Sequence, residues 1–326
     1  MQYTAVGMDI GHSAVKLAWN DLSAPRSLIF PSAVVPHFHI SEENTRRQSE
    51  SDTVVVEGQK FFVGDTAAVQ SATSVTGLNM DWIKTREHSA LLVGANNKLD
   101  QNRVPTEGRV ICLGLPVVSM ARQQAQLQAE ASRLLPGAII KIFPQPLAAY
   151  QTLMLDMHGS PMPNRSMLNE SWAVIDVGHF TSDIILMDKG RWIEDASGSC
   201  SGISKACSVF QRLIAAERFE VDLLEAEECL KTGRLMEFGK VIDVRKEVEA
   251  SMEALIAEIR EEAQKRLADR VRKLNGVLIT GGGADVVHEA LIKIWPNTQK
   301  SANPRMAVAD GMRRLATAMI KMGRIS

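Results

Sequence analysis

The sequence predicts an α/β protein built as two domains. Three observations carry that expectation. The chain has 326 residues, more than one hydrophobic core usually serves. Buried-strand patterns alternate with amphipathic helical patterns along most of it. One strand–turn–strand unit opening with Asp-x-Gly occurs twice, at Asp9 and at Asp176, about half a chain apart.

Composition narrows the class. The hydrophobic share of 45% and charged share of 23% are those of a globular protein. A formal net charge of −1 gives no global pull toward nucleic acid or anionic membrane. Cys112, Cys200, Cys207 and Cys229 form no C-x-x-C pair, so neither a zinc site nor a disulfide framework is expected. The N-terminus lacks signal-peptide features, and a reducing cytoplasm is the expected location.

Thr4–Ile10 reads as a buried strand and Ala14–Trp19 as its antiparallel partner. Between them, Gly11, His12 and Ser13 form a turn whose amides can meet an anion, with Lys16 as a nearby point charge. Asp9 at the strand end suits a hydrated Mg²⁺, because hard cations take carboxylate oxygen and keep waters. His12 reads as a turn residue, since no second metal ligand is at hand. Alone, this motif is equally an ordinary hairpin.

His39–Asp52 reads as a solvated loop, followed by a small hairpin of Thr53–Glu57 and Lys60–Val63. Leu78–Ala95 looks helical, and Asn96–Gly108 reads as a loop. Arg109–Leu113 is a strand, and Ser119 caps a helix through Leu135. Ala138–Phe143 is another strand. A helix then enters at Pro146 and runs to about Met157, with Gln145 just before it, where a side chain can reach into a cleft. His158–Glu170 holds Pro161, Pro163 and Asn164 and marks the domain boundary.

The second hairpin is AVIDVGHFTSDIIL, Ala173–Leu186. Its tip carries Asp176, Gly178, Thr181 and Asp183. Two such hairpins facing each other could grip a polyphosphate and its metal. Arg191–Ala196 reads as a third strand. Small, polar Ser197–Gly202 leads into a helix from Ile203 to Arg218, whose start is an anion site or a plain linker. Val221–Lys231 is a helix, and Val244–Arg272 is the longest, with an apolar stripe from Val248 to Val271. Strand Gly276–Thr280 runs into Gly281, Gly282, Gly283 and Ala284, leaving no Cβ in the way of a flat ligand, and a helix follows to about Trp295. Pro304 opens a last helix, apolar along Met306, Ala309, Met312 and Ala316, with Arg313, Arg314, Lys321 and Arg324 on its other side.

The order of motifs is more specific than any one of them. Asp9-x-Gly-x-x-x-x-Lys16, Phe143-Pro-Gln-Pro-Leu-Ala-Ala149, Asp176-x-Gly-x-x-Thr181-x-Asp183, Ile279-Thr-Gly-Gly-Gly-Ala284 and Ala309-Asp310-Gly311 follow one another. Together they resemble the actin, hexokinase and heat-shock-chaperone ATPase superfamily, over essentially the whole chain. The short length and the lysine seven places after Asp9 look most like actin-like ATPases of the ParM/StbA plasmid-segregation type.

That resemblance implies two ribonuclease-H-like domains of the actin fold with a nucleotide cleft between them. Residues 1–157 with the closing helix 304–326 would form the first, and 171–300 the second. It implies ATP or GTP with Mg²⁺. Gly11, His12, Ser13 and Lys16 would face phosphates, as would Gly178, His179, Phe180 and Thr181. Gly281–Ala284 would hold the adenosine, and Gly202 would lie near the ligand. Asp9 and Asp176 would order the waters around the metal. Gln145, where many ParM relatives carry Glu, would position the attacking water, helped by Asp183. His179 and Phe180 replace the small residues usual in that turn. The implied function is filament formation coupled to ATP hydrolysis, moving plasmid DNA through a DNA-binding adaptor. The implied partners are other copies of the chain, with no direct nucleic-acid contact and no membrane anchorage. The alternatives are a small-molecule kinase of the same superfamily and a nucleotide-binding membrane or division adaptor.

Overall fold

The computed structural model describes residues 3–21, 24–71 and 81–325. The chain divides into two units, Met1–Ser166 with Met306–Ser326, and Met167–Arg305.

In unit 1, β1 (Thr4–Ile10), β2 (Ala14–Asn20) and β3 (Pro25–Pro31) form an antiparallel meander. β4 (Val34–Pro36), β5 (Thr53–Val56) and β6 (Gln59–Val63) make a separate small sheet. The expected loop 39–52 instead holds α1 (Glu43–Glu50). The Glu42 carboxylate accepts from the amides of Asn44 and Thr45, and Glu43 pairs with Arg47 one turn on. A helix polar all round has no apolar stripe for periodicity to find.

α2 (Gly64–Gln70) follows. Of the expected helix 78–95, residues 78–80 lie outside the described residues. Trp82–Lys84 is a single 3₁₀ turn, and the Thr85 hydroxyl caps α3 (Arg86–Gln101) by accepting from the His88 amide at 3.1 Å. α3 therefore starts later and runs six residues further than expected, into the supposed loop. β7 (Arg109–Leu115), α4 (Met120–Leu134), β8 (Ile139–Pro144) and α5 (Gln145–Met154) complete the run. Ser119 makes no side-chain cap; it ends a short 3₁₀ turn that feeds α4. The main sheet has the order β3-β2-β1-β7-β8, with β1, β7 and β8 parallel. Every residue of β1 is buried, as expected for a strand covered on both faces.

Unit 2 repeats that plan. β9 (Ser171–Val177) and β10 (Thr181–Asp188) are antiparallel, and β11 (Arg191–Trp192) is shorter than the expected strand because Glu194–Ala196 turns away as 3₁₀. β12 (Gly198–Ser201), in the stretch taken for a linker, also pairs with β10. α6 (Ile203–Ala216) and α7 (Leu223–Thr232) follow, then a hairpin of β13 (Arg234–Glu237) and β14 (Lys240–Asp243). α8 (Arg245–Leu267) buries Met252, Leu255, Ile259, Ala263 and Leu267 on its predicted stripe, and stops short of Arg272 in a 3₁₀ segment. β15 (Gly276–Thr280), α9 (Ala284–Leu291) and β16 (Thr298–Lys300) close the unit. The order β11-β10-β9-β15-β16, with β9, β15 and β16 parallel, matches that of unit 1 strand for strand. Two ribonuclease-H-like sheets are thus present.

α10 (Ala307–Lys321) returns to unit 1. Arg313 is not on a wet face as expected but 1% exposed. Its guanidinium donates to Asp310, Asn20 and the Met157 carbonyl. Arg314 donates to Asp310 and to carbonyls at Thr152 and Leu155. These cations bind the helix to its own unit. No helix among the described residues is long and apolar enough to cross a membrane.

Candidate functional site

The first hairpin places chemistry by register. Asp9 and Lys16 are cross-strand partners, so their side chains share a face. Asp9 is 3% exposed. Its Oδ2 accepts from Lys16 Nζ at 2.8 Å, and its Oδ1 accepts from Gln145 Nε2 at 2.9 Å. Gln145 is the first residue of α5, inside the helix start rather than before it. An ionised carboxylate only accepts, so the Gln145 amide nitrogen must face Asp9, which leaves Oε1 to accept a hydrogen bond from another donor.

The turn above this cluster is held from behind. The Ser32 hydroxyl donates to the Gly11 carbonyl at 2.5 Å, and the Ser32 amide donates to the Ser13 carbonyl at 3.1 Å. Trp82 Nε1 donates to the Ile10 carbonyl at 3.2 Å, while its ring stacks on His12 at 5.4 Å between centroids. His88 meets the edge of Trp82 at 5.7 Å. Burial, helped by the neighbouring His12, pushes the His88 imidazole down to about 4. Ser32, Trp82 and His88 carried no sequence signal, because their partners lie up to 72 positions away along the chain.

In unit 2, Asp176 and Asp183 are direct cross-strand partners, 6% and 2% exposed. Asp183 accepts from the hydroxyls of Thr181 and Ser199. Two carboxylates directly opposed in a sheet repel unless a cation or donors offset them. The turn carbonyls face α6: Phe180 accepts from the Gly202 amide, Gly178 from Ile203, and His179 from Ser204, at 2.8–3.0 Å. The amides at the start of α6 are therefore spent on the hairpin, which removes them as the anion site considered from sequence. Gly202 is needed there for closeness, since a Cβ would sit 2.5 Å from the His179 carbonyl oxygen.

His179 Nδ1 lies 3.0 Å from Glu227 Oε2 of α7, at ion-pair distance but without hydrogen-bond alignment. Glu227 also pairs with Lys231 at 2.8 Å. Burial would raise the Glu227 carboxyl, but His179 and Lys231 outweigh it and hold it at about 2. His179 sits against this buried acid, a partner invisible to local spacing.

Two family models match the chain: actin-like proteins, N-terminal domain, over residues 7–137, and the archaeal actin homologue MreB-like, C-terminal, over residues 174–293. This chain is an actin-like protein. Among solved structures, the actin-like chain is similar to a 15-stranded ParM filament from Clostridium botulinum, with 20% identity, TM-score 0.78 and coverage of 97% of this chain and 99% of that one. A non-polymerisable quadruple mutant of pCBH ParM gives 19% identity, TM-score 0.74 and coverage of 99% and 100%. The archaeal actin homologue Ta0583, in complex with ADP, gives 20% identity, TM-score 0.72 and coverage of 95% and 98%. No curated protein sequence matches the chain.

The glycine-rich turn of this actin-like protein separates packing glycines from an open one. Gly281 has φ +88°, and a Cβ on it would lie 2.6 Å from Asp176 Oδ1. Gly283 would strike Ile203 and Val177. Gly282 alone among the described glycines has neither a positive φ nor any atom within 4 Å of its would-be Cβ. The space beside it is open, so a ligand could approach the backbone there without meeting a side chain. Ala284 starts α9 and is buried.

The acidic residues also fit a hydrated divalent cation. Asp9 in unit 1 and Asp176 in unit 2 are each acceptor-only carboxylates, and no group of three or more His, Cys, Asp or Glu side chains among the described residues forms a closed metal cage. A cation that keeps its waters needs one or two carboxylates, not a cage.

Proposed function

We propose that the chain is a nucleotide-dependent filament-forming ATPase that segregates plasmid DNA through a DNA-binding adaptor in the cytoplasm. The observation that carries this reading is the Asp9–Lys16–Gln145 cluster beneath the Gly11–Ser13 turn, answered in unit 2 by the Asp176–Asp183 pair. Two neighbours support it: the Clostridium botulinum ParM, which is a 15-stranded filament, and Ta0583, which is in complex with ADP.

In this reading the amides of Gly11, His12 and Ser13 bind phosphate on one side, and those of Gly178, His179, Phe180 and Thr181 on the other. Lys16 contributes its charge to the phosphates while remaining tied to Asp9. Gly281–Ala284 flank the adenosine at the clear face of Gly282. Asp9 and Asp176 would hold Mg²⁺ through water, and the ion would supply charge neutralisation at the phosphates. Gln145 Oε1 accepts a hydrogen bond from the attacking water and fixes its line of approach, without taking its proton, with Asp183 assisting. Phosphoryl transfer needs positioning more than a strong base, so glutamine suffices.

Phosphate release from ATP tests this. The wild-type chain turns over with Mg²⁺, ATP outcompetes GTP or the reverse, and Asp176→Ala lowers the rate by about a hundredfold or more. Unchanged release in Asp176→Ala refutes the site. ATP consumption only when a small hydroxylated acceptor is added would make the protein a kinase instead.

A further inference from the structure

The two Asp-x-Gly hairpins differ in the charge they carry. In the first, the cross-strand partner of Asp9 is Lys16; in the second, the partner of Asp176 is Asp183, so that position supplies no cation. The second turn is tied instead to α7. The His179 side chain is 6% exposed and that of Glu227 12%. Nδ1 lies 3.0 Å from Glu227 Oε2, and Lys231, one helical turn further along, meets Oε1 at 2.8 Å. His179 Nε2 is buried and has no hydrogen-bond partner among the described residues.

α7 does not need this acid for its own packing. Ala226 and Cys229 seat the helix in the core of Phe210 and Ile214, and a buried ion pair adds little or nothing to stability over apolar residues of similar volume. The turn does have a use for it. Its carbonyls at Phe180, Gly178 and His179 accept from the amides of Gly202, Ile203 and Ser204. In a trans peptide the C=O and N–H point opposite ways. The N–H groups of His179, Phe180 and Thr181 therefore point together away from α6. The His179 Cα joins two of these three peptide planes. A side chain pinned at its far end thus sets the angle between neighbouring N–H groups, and a binding site needs its donors held to within about 0.5 Å.

We infer that Glu227 is a positioning residue of the second phosphate turn: through the His179 ring it holds Gly178–Thr181 in the form that receives phosphate. This rests on the nucleotide reading above. Glu227 acts through His179 and makes no contact with the ligand itself. The carboxylate is held ionised by His179 and Lys231 against the cost of its burial, so it is a fixed anchor for the imidazole. Lys231 is 47% exposed and serves the other oxygen; it steadies Glu227 without reaching the turn.

The test titrates the full chain with a fluorescent ATP analogue and Mg²⁺, at a temperature where circular dichroism shows every variant folded, so that lost stability alone does not register. Glu227→Gln keeps the side chain's size and removes its charge, and its affinity falls by about fivefold or more. His179→Ala also binds more weakly, and the double variant binds no worse than the weaker single, because the two residues act as one unit. Lys231→Met removes a half-exposed partner from the same carboxylate and leaves the His179 contact, so its affinity stays within about twofold. A second arm reads the turn without ligand: in nitrogen-15 NMR spectra the backbone amides of His179, Phe180 and Thr181 shift in Glu227→Gln. Affinity of Glu227→Gln within about twofold of wild type, losses that add in the double variant, or unmoved turn amides overturn the inference. The two readings fail distinguishably. A wild-type chain that binds no ATP analogue contradicts the nucleotide reading and this inference with it, whereas wild-type binding that Glu227→Gln leaves intact contradicts this inference alone.

Discussion

Replacing Lys16 with Met isolates the ion pair at the centre of the first hairpin. Asp9 is 3% exposed and takes two donors, Lys16 at 2.8 Å and Gln145 at 2.9 Å. Removing one partner of a buried pair leaves an uncompensated charge, which costs about 3–5 kcal/mol when burial is complete. Here the Lys16 side chain is 17% exposed and the Gln145 amide still donates, so the expected loss is about 2–3 kcal/mol. For a unit of this size that lowers the thermal midpoint by roughly 4–12 °C. The double variant Asp9→Asn/Lys16→Met keeps the Gln145 bond, because an Asn carbonyl accepts it, and removes the stranded charge. It regains most of the lost stability, yet loses nucleotide affinity along with the lysine. Urea and thermal unfolding of wild type, both single variants and the double variant form the cycle. If Lys16→Met unfolds at the wild-type midpoint, or the double variant is as unstable as the two singles summed, the pair is not what secures this hairpin.

Further expectations concern neighbouring groups. Gln145→Ala slows single-turnover hydrolysis while leaving nucleotide affinity within a few-fold; Gln145→Glu places a second carboxylate against Asp9 Oδ1 and lowers the melting temperature. Gly282→Val leaves unfolding unchanged, since nothing lies within 4 Å of its Cβ, but weakens nucleotide binding by about tenfold or more if the adenosine lies there. His88 has a folded value of about 4 against an ordinary 6.5. The unfolded chain thus binds the extra proton between those values, and stability falls as pH drops from 6.5 toward 4, by about 2 kcal/mol at pH 5. His88→Leu removes that slope in urea titrations at pH 7 and pH 5. Glu227, at about 2 against 4.5, stabilises unit 2 above pH 4.5 and loses that contribution as pH falls toward 2, a transition absent in Glu227→Gln.

The elements with a strong period or a buried run were legible in the sequence. β1, β2, β9, β10 and β15 came from apolar runs broken by Asp-x-Gly or Gly-Gly, and α8 from its stripe. What escaped lacked a period. α1 is polar on all faces, β12 reads as a small-residue linker until β10 pairs with it, and β13–β14 shows only two inward residues. The Asp-x-Gly hairpins of the candidate site were equally plain, because register alone sets Asp9 opposite Lys16 and Asp176 opposite Asp183. The residues that hold those turns could not be read, since Ser32, Trp82, Ser199 and Glu227 reach them through tertiary packing. Arg313 and Arg314 were misplaced for a related reason: a cation near a helix end reads as solvated until the buried carbonyls it serves are known.

Sedimentation of the purified full chain with Mg²⁺ and ATP, a slowly hydrolysed ATP analogue, ADP or no nucleotide tests the central claim most directly. Binding energy that differs between two conformations shifts the population toward the better-bound one, and a non-closing contact turns that population into polymer. The expected result is polymer with ATP that decays as phosphate appears, lasting polymer with the analogue, and a critical concentration in both. No triphosphate-dependent sediment at tens of micromolar protein, roughly ten times a weak micromolar affinity, across salt conditions would contradict it.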